Sequence, residues 1–521
     1  MSAQYAAHEK LFASLPGLAE IDAQIAAMTN KAERRSIMLI DEGSSDKAPV
    51  ERLIRSLYTW AIVYRCSDIH ISGRGLRNRP HIFVNIRTPD GFRNFRLRYE
   101  TDDAASRWET KLFELAGTPQ GATTPDIEST RFDLSLPDHF SALHGLKLFE
   151  DEMTYNVDVR VEYTKTYNGF AFITRLLDAQ RAPQLDDIGI SYVLMKEILV
   201  ALHLPSGLIL TTGPTGSGKT TLQNAMLCVR NDGSSAIHTV EDPVEIALRG
   251  IGPIKQVQIG GNITYPRALR SALRSDPDII QIGEIRDLET LDIALQAAST
   301  GHIVLATLHT NSAAEAVTRM LDMTPPEDRA NYAYKIAAAL KLVLAQRLLS
   351  RYDGEVETRK ITSGERDWIR TNGIDLCGEV AEVVPNGKSA GKVPVIEGIV
   401  VTPDIQRLIK EPNVDVSHIY KVACEQLSFE PLAVGGVRAV QSHGATLPET
   451  MSRVEGNPDA ERHPGLRVRL AKEHALSFQA VSDAIDAHSR ARDNGENVEL
   501  SSFIEQAKVG TLIKFLQEEA A

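Results

Sequence analysis

A glycine-rich run at residues 213–220 constrains the fold of this chain more than any other feature of its sequence. It reads Gly-Pro-Thr-Gly-Ser-Gly-Lys-Thr and fits the spacing G-x-x-x-x-G-K-[ST]. An apolar run at residues 208–212 precedes it, and Leu222, Ala225 and Met226 follow it at helical spacing. A strand, a glycine loop and a helix in this order are typical of a phosphate-binding loop, whereas the bare pattern also fits an ordinary glycine turn. The flanking segments therefore predict an α/β fold with a nucleoside-triphosphate site.

The residue types of this loop suit the chemistry of phosphate. Glycines allow successive backbone N–H groups to point at one anion, and the following helix adds the positive end of its dipole. Lys219 is predicted to reach the β- and γ-phosphates, and the Thr220 hydroxyl to bind Mg²⁺. The predicted nucleotide-binding residues are consecutive in the chain: Gly213, Pro214, Thr215, Gly216, Ser217, Gly218, Lys219, Thr220 and Thr221.

Composition sets the broad class of the protein. A chain of 521 residues is long enough for about three domains. Its formal net charge of −12 argues against a general affinity for nucleic acid but leaves room for a local basic groove. The cysteines contain no Cys-x-x-Cys pair, so neither a disulfide framework nor a zinc ribbon is expected. Without a signal-peptide pattern or an apolar run of ~20 residues, the sequence predicts a cytoplasmic protein whose membrane role works through partners.

Proline, glycine and charge patterns divide the chain into segments. Strands and helices alternate in the region around the glycine loop, which predicts a parallel sheet of βαβ units. The predicted segments are a helical N-terminal extension (1–52), a small α+β domain (53–180), a linker (181–190), the nucleotide-binding core (191–350), an insertion with a C-terminal subdomain (351–455) and a helical tail without a chemical signal (456–521).

Some elements are predicted more closely within these segments. In the α+β domain, the pattern predicts a helix at residues 53–63 and strands at residues 67–72, 81–86, 92–97 and 155–163. An alanine- and leucine-rich run at residues 332–349 predicts a buried helix, and residues 351–392 read as an irregular insertion.

Three polar motifs follow the glycine loop, next to predicted strands. Residues 241–245 read Glu-Asp-Pro-Val-Glu and place three carboxylates after one strand. Residues 276–287 form an apolar run that leads into Glu284, and a further strand has His302 before it and His309 after it. Ligands of open α/β sheets lie at the carboxyl ends of the strands, so we expect these polar groups to meet beside the glycine loop.

This order of motifs resembles the secretion ATPase superfamily, the ring motors of type II secretion, type IV pili and conjugative or type IV secretion systems. Residues 241–245 resemble the Asp box of the family, residues 276–287 its atypical Walker B motif and residues 301–311 its His box. Residues 66–70, Cys-Ser-Asp-Ile-His, are similar to a segment of its N-terminal PAS-like domain. The resemblance covers about residues 53–455 and is nearest to the plasmid-borne thin-pilus and Dot/Icm-like branch.

The resemblance implies a RecA-like P-loop NTPase core with a PAS-like N-terminal α+β domain and a small helical C-terminal subdomain. It implies a homo-hexamer, peripheral to the inner membrane, that hydrolyses ATP to power pilus assembly or secretion through an inner-membrane platform protein. A conjugative or thin pilus is favoured, and direct binding of nucleic acid is not expected. Two alternatives remain: a RecA-like DNA translocase or helicase, which DNA would stimulate, and a nucleotide switch, which would lack a catalytic acid.

The resemblance also assigns the hydrolytic roles. Glu284 is expected to polarise the attacking water, and Gly283 stands before it where a generic Walker B motif has an aspartate. The Mg²⁺ shell must therefore use Thr220 and, through water, Glu241 or Asp242. The alternative for the acidic motif is a solvated turn around its proline. The expected catalytic residues are Glu284, Glu241, His309, Arg160 and Arg175.

Histidine and arginine complete this set. His309 is expected to contact the γ-phosphate or to couple the nucleotide state to the next subunit. Arg160 and Arg175 match positions that sense phosphate in the family, although surface arginines paired with acids would give the same pattern. Many members carry a zinc-binding tetracysteine insertion, whereas this chain has only Cys377 in that region, so we expect no zinc.

Overall fold

The computed structural model describes most of residues 48–508, in two compact units, Met1–Ala182 and Pro183–Ala521. The residues outside the description are 1–47, 77–78, 89–90, 99–103, 116–126, 138–153, 168, 178–182, 249–251, 354–355, 373, 375–378, 384–387, 443–444, 455–475, 477, 495, 497 and 509–521. Nearly all of the predicted N-terminal extension, part of the predicted tail, and Cys377 therefore lie outside the described residues.

The first unit is an α+β fold built on one antiparallel sheet. Its elements are helix α1 (Ala48–Val63), strands β1 (Asp68–Leu76), β2 (Arg79–Thr88) and β3 (Gly91–Arg98), helix α2 (Ala104–Leu115), and strands β4 (Ile127–Pro137), β5 (Thr154–Thr166) and β6 (Gly169–Leu177). The six strands lie in the order β3-β2-β1-β6-β5-β4. Ile69 and Ile71 of β1 are buried in a core with Trp60 of α1 and Trp108 of α2. The predicted helix at 53–63 and the predicted strands are confirmed; β4 and α2 were not predicted.

The second unit contains the alternating elements that the sequence predicts. They are helix α3 (Tyr192–Leu202), strand β7 (Gly207–Thr212), helix α4 (Lys219–Arg230), strands β8 (Ile237–Glu241) and β9 (Ile254–Gln258), helix α5 (Tyr265–Ala272), strand β10 (Ile279–Ile282), helix α6 (Leu288–Ser299), strand β11 (Ile303–Leu308), helices α7 (Ala313–Asp322) and α8 (Arg329–Ala339), and strand β12 (Leu340–Asp353). Within the predicted linker, Leu185–Ile188 form a short 3₁₀ helix that packs against α4 and buries Leu185 and Ile188.

The remaining described elements of this unit follow β12. They are strand β13 (Val356–Lys360), helix α9 (Ser363–Thr371), strands β14 (Glu379–Val383) and β15 (Lys388–Val400), and helices α10 (Pro403–Ile409), α11 (Val416–Ala423), α12 (Leu432–Ser442), α13 (Leu447–Arg453) and α14 (Phe478–Asp493). In the described part of the chain, no helix is both long enough and apolar enough to cross a membrane.

The order of the strands decides which loops meet. The seven-stranded sheet runs β15-β12-β7-β11-β10-β8-β9, and all neighbours are parallel except β15 and β12. Strand β11 therefore separates β7, which leads into the glycine loop, from β10, which leads into Glu284. Because these strands are parallel, the loops that follow them lie at one edge of the sheet.

The prediction of a helix at residues 332–349 is wrong in its second half. Helix α8 ends at Ala339, and β12 starts at Leu340 and lies between β7 and β15. Residues 342–347 are buried on both faces of the sheet. A continuous apolar run carries no periodicity that separates a buried helix from a strand of this kind.

The prediction of an irregular insertion at residues 351–392 is also wrong. Strands β13 and β14 pair with each other, and β15 joins the edge of the main sheet beside β12. Helix α9 begins at a capping box, in which Thr362 and Glu365 each bond to the backbone N–H of the other. All three strands of this segment are edge strands of their sheets, and such strands commonly carry charged residues.

Candidate nucleotide-binding and hydrolysis site

The glycine loop has the backbone that a phosphate cradle needs. Gly213 and Gly216 have φ angles of 148° and 77°, which L-residues with a side chain rarely adopt. A Cβ added to Gly213 would come within 2.5 Å of the Gln346 carbonyl oxygen, whereas one added to Gly216 would meet no atom within 4 Å. Helix α4 starts directly after the loop, with Gly218 as its N-cap, so its free N–H groups face the loop.

The side chains of Lys219 and Ser217 complete this cradle. The Lys219 ammonium donates to the carbonyl oxygens of Gly213, at 2.7 Å, and Pro214, at 3.1 Å. Burial lowers the pKa of Lys219, and the negative charges of Glu284 and Glu245 oppose that shift. Ser217 Oγ is buried without a hydrogen-bond partner among the described residues. A cation and an unsatisfied hydroxyl inside a ring of amides fit the phosphates of a nucleotide.

Glu284 and His309 meet beside the loop, as the sequence predicts. Glu284 Oε1 lies 3.4 Å from His309 Nε2, and Glu284 Oε2 accepts a hydrogen bond of 2.7 Å from Arg286. Burial and the positive charge of Lys219 lower the pKa of His309, while Glu284 raises it. The ring of His309 is therefore neutral near pH 7. Glu284 is close enough to Lys219 for the two charges to interact, and such a pair suits a site that binds an anion and a water.

The three carboxylates of the acidic motif at residues 241–245 differ in exposure: Glu241 is buried, Asp242 is exposed and Glu245 is half-buried. Glu241 ends β8, and its Oε1 accepts hydrogen bonds from Thr239 Oγ1 (2.6 Å) and Gln256 Nε2 (3.2 Å). Burial raises the pKa of Glu241. Asp242 is exposed and forms an ion pair of 3.4 Å with Arg286. The hydrogen bonds occupy one carboxylate oxygen of Glu241, and its role toward Mg²⁺ stays a prediction.

The described residues contain no group of three or more His, Cys, Asp or Glu side chains arranged around a metal ion. The donors predicted for Mg²⁺, Thr220, Glu241 and Asp242, are one hydroxyl and two carboxylates, and they suit a hard cation that retains several waters. Such a cation uses phosphate oxygens as its remaining ligands. The residues present therefore fit Mg²⁺ that arrives with a nucleotide.

Sequence reasoning missed Arg347 of β12. Its guanidinium is buried and donates to three backbone carbonyl oxygens, those of Asn311 (2.7 Å), Gln346 (3.1 Å) and Arg453 (2.9 Å). Asn311 follows the His309 loop and Gln346 contacts the glycine loop, so Arg347 links both loops to helix α13. No short motif marks such a role, because its acceptors are backbone atoms.

Sequence reasoning also missed Tyr265, the first residue of α5. A Cβ added to Gly283 would come within 2.7 Å of the Tyr265 hydroxyl. The charges that act on this phenol are those of Asp242, Arg286, Glu284 and Glu241, so it lies among the groups of the site. A tyrosine at the start of an amphipathic helix gives no functional signal in a single sequence, since it is typical of a core residue.

His302 does not join the site. It precedes β11, and its Nδ1 lies 3.1 Å from the Ala297 carbonyl and 3.4 Å from Thr300 Oγ1. The expectation that all the polar groups flanking these strands meet at the carboxyl edge is therefore wrong for His302, because this residue lies at the opposite end of β11.

Arg160 and Arg175 lie in the first unit, in a row that crosses its sheet. Directly opposed residues on neighbouring strands are Arg131 (β4), Arg160 (β5), Arg175 (β6), Asp68 (β1) and Arg87 (β2). Asp68 accepts from Arg175 at 3.1 Å and pairs with Arg87 at 3.4 Å, and Arg131 pairs with Asp158. Half-buried Arg160 has an arginine opposite it on both sides and no ion pair among the described residues. Like charges that oppose each other on neighbouring strands repel, and the carboxylates of Asp158 and Asp68 reduce this repulsion.

The parallel sheet, the glycine loop and the convergent lysine, glutamate and histidine define a P-loop ATPase. The family model described as "Type II/IV secretion system protein" matches residues 148–452, more than half of the chain. The chain belongs to this family and is an ATP-hydrolysing member of the secretion ATPase superfamily, as its motifs predicted.

Similar proteins are found in both sequence and structure. The type IV pilus assembly ATPase PilB of Pseudomonas aeruginosa is 32% identical over 471 residues, which are 86% of this chain and 75% of PilB. The type II secretion system protein HxcR of the same species is 32% identical over 409 residues, 78% of each chain. The ATPase DotB of Legionella pneumophila matches with a TM-score of 0.57 at 20% identity, over 76% of this chain and 94% of DotB. The likeness to DotB shows the shared fold alone.

Proposed function

We propose that this chain forms a hexameric motor that hydrolyses ATP to drive pilus assembly or type II/IV secretion. The observation that carries the proposal is the meeting of Lys219, Glu284 and His309 at the carboxyl edge of the parallel sheet. PilB is a type IV pilus assembly ATPase and HxcR is a type II secretion system protein, which supports a pilus or a secretion machine as the load. A conjugative or thin pilus is the load that we favour, because the sequence motifs resemble that branch most. The motor would act on the cytoplasmic side of the inner membrane through a platform protein.

The roles of the site residues follow from the chemistry of phosphoryl transfer. The loop amides and Lys219 bind the β- and γ-phosphates, and Glu284 accepts a hydrogen bond from the attacking water. Neutral His309, 3.4 Å from Glu284, contacts the γ-phosphate and senses its loss. Mg²⁺ bound at Thr220 and, through water, at Glu241 or Asp242 would neutralise charge on the phosphate oxygens.

Arginines of the first unit complete the site in this proposal. Arg160 and Arg175 bind the γ-phosphate of a neighbouring subunit, so assembly becomes a condition of activity. The support is the position of Arg160, which has no ion pair among the described residues. Head-to-tail contacts of this kind close into a ring when the rotation between subunits permits. The PAS-like character of the first unit is part of the same proposal.

The test is steady-state ATPase activity across a range of protein concentrations, with light scattering on the same samples. Specific activity is expected to rise as a species of about 340 kDa forms, six times the 57.3 kDa chain. Glu284→Gln is expected to lower kcat about 10²–10⁴-fold, because the amide cannot accept the proton of the water. Glu289→Gln is the matched control, since Glu289 lies on α6 in an exposed ion pair with Arg270.

Full activity in a monomer would refute the ring mechanism. Activity retained by Glu284→Gln would refute the catalytic assignment, and a loss of equal size in Glu289→Gln would show that the effect is not specific to the site. Stimulation by DNA would favour a translocase instead of a secretion motor.

A further inference from the structure

The hydroxyl of Tyr265 lies among the carboxylates of the site and has no role in the function proposed above. Its oxygen is so close to Gly283, the residue before Glu284, that a Cβ on Gly283 would come within 2.7 Å of it. Among the described residues, no side chain or backbone group is hydrogen-bonded to this hydroxyl. A partly buried tyrosine oxygen normally finds a partner, so water or a ligand is the remaining candidate.

The fold holds the Tyr265 side chain in place. Tyr265 begins α5, and Pro266 follows it in the first turn of the helix. Helix α5 packs against β8, which ends at Glu241, and against α6, which follows Glu284. The Tyr265 ring packs on the apolar core of the unit, while its hydroxyl extends to the polar groups. The oxygen is therefore presented by a rigid element between the acidic motif and Glu284.

Burial and nearby negative charge keep the Tyr265 hydroxyl protonated. Burial raises the pKa of Tyr265 most, and the negative charge of Asp242, followed by those of Glu284 and Glu241, raises it further, against the opposing effect of Arg286. The phenol remains neutral throughout the pH range in which the enzyme would work. A neutral hydroxyl donates one hydrogen bond and accepts others, which suits a water held between carboxylates.

We propose that Tyr265 is a positioning residue, whose hydroxyl orients the attacking water between the acidic motif at residues 241–245 and Glu284. The proposal rests on the ATPase function described above. The water oxygen forms its bond to the γ-phosphorus as the bond to the β–γ bridging oxygen breaks, and a water proton passes to Glu284. Tyr265 neither gains nor loses a proton and acts only through the water.

The test is Tyr265→Phe, which removes the hydroxyl and keeps the packed ring. Loss of one positioning hydrogen bond is expected to lower kcat about tenfold and to leave KM for ATP within about twofold. Binding of a non-hydrolysable ATP analogue, followed by fluorescence, is expected to be unchanged.

Tyr332→Phe is the matched control. It removes a hydroxyl of the same unit that donates to Asp292 at 3.2 Å on α6, and kcat is expected to stay at the wild-type value. A wild-type kcat in Tyr265→Phe would overturn the inference, and so would a matching loss of analogue binding and thermal stability, which indicates packing alone. Glu284→Gln, measured in the same series, distinguishes a failure of the role of Tyr265 from a failure of the proposed catalytic site. If Glu284→Gln is inactive while Tyr265→Phe is fully active, only the role of Tyr265 fails; if Glu284→Gln is active, the catalytic assignment on which the inference rests fails.

Discussion

Glu241 is a buried carboxylate at the end of strand β8. Its Oε1 accepts hydrogen bonds from Thr239 and Gln256, but burial still raises its pKa. Ionising a buried carboxylate costs free energy unless enough donors surround it. The fold therefore tolerates a carboxylate that opposes stability near neutral pH, and the proposed contact with the water shell of Mg²⁺ gives a reason for its presence.

The substitution Glu241→Gln separates the effect of the buried charge on stability from its proposed effect on catalysis. The amide keeps the acceptor oxygen and removes the buried charge, so we expect the free energy of unfolding without nucleotide to rise by about 1 kcal/mol at pH 8. A carboxyl whose pKa is higher in the folded state stabilises at low pH and loses that contribution as pH rises through the folded pKa. The gain should therefore vanish near pH 4, as measured by urea unfolding at each pH. ATPase activity is expected to fall at the same time.

A gain that stays constant with pH would show that ionisation of Glu241 is not its cause. Glu245→Gln is the natural comparison, because Glu245 belongs to the same motif but is only half-buried. Its effect on unfolding is expected to be within about 0.5 kcal/mol.

Single residues of the site were predictable where they belong to short motifs. Lys219, Glu284 and His309 follow strands whose apolar runs are visible in the sequence, and the rule for parallel sheets brings them together. Tyr265 and Arg347 were not predictable from the sequence. Tyr265 reaches the site only with the hydroxyl of a ring that packs on the core, and Arg347 binds backbone oxygens. Such contacts depend on packing between segments that are distant in sequence.

At the scale of elements, the glycine loop is shaped by its neighbour strand β12. The Gln346 carbonyl of β12 lies against Gly213, and the side-chain amide of Gln346 would be 2.8 Å from a Cβ on Gly218. Arg347, the next residue, bonds to the loop after β11 and to helix α13. Strand β12 thus connects the phosphate cradle with helix α13.

The closeness of β12 predicts a graded response to alanine in the loop. Gly216→Ala meets no atom within 4 Å and carries only the cost of a positive φ of 77°, about 1 kcal/mol. Gly213→Ala adds a contact of 2.5 Å with a backbone oxygen to a φ of 148°, and its expected cost is about 3 kcal/mol. Thermal or urea unfolding of the nucleotide-free protein measures both. Equal costs would contradict the close approach of β12.

The wrong prediction at β12 shows a limit of predicting secondary structure from a single sequence. Residues 342–345 are all apolar, because β12 is covered on both faces and flanked by β7 and β15. Neither the period of a helix nor that of a half-exposed strand appears in such a run. By contrast, β7 and β11 were predictable, since a glycine loop and a histidine motif mark their ends.

At the scale of the whole molecule, the residues proposed for catalysis lie in two compact units. The lysine, the glutamate and the histidine lie in Pro183–Ala521, and the arginine row lies in Met1–Ala182. In the first unit, Arg160 stands between Arg131 and Arg175, which are paired with Asp158 and Asp68, while Arg160 has no ion pair among the described residues. A motor that completes its site with arginines from a neighbour hydrolyses ATP only when assembled.

Mixing two inactive variants tests whether the arginines act on a neighbouring subunit. One chain carries Arg160→Ala with Arg175→Ala, and the other carries Glu284→Gln, so neither homo-oligomer should turn over. In a random equal mixture, about a quarter of the interfaces join an intact Glu284 to intact arginines of the next subunit, and about a quarter of wild-type activity should return. If the arginines serve the nucleotide of their own chain, every site lacks one group and the mixture stays inactive. Light scattering on the mixture confirms that mixed assemblies form, so an inactive mixed ring would contradict action between subunits and leave the assignment of Glu284 intact.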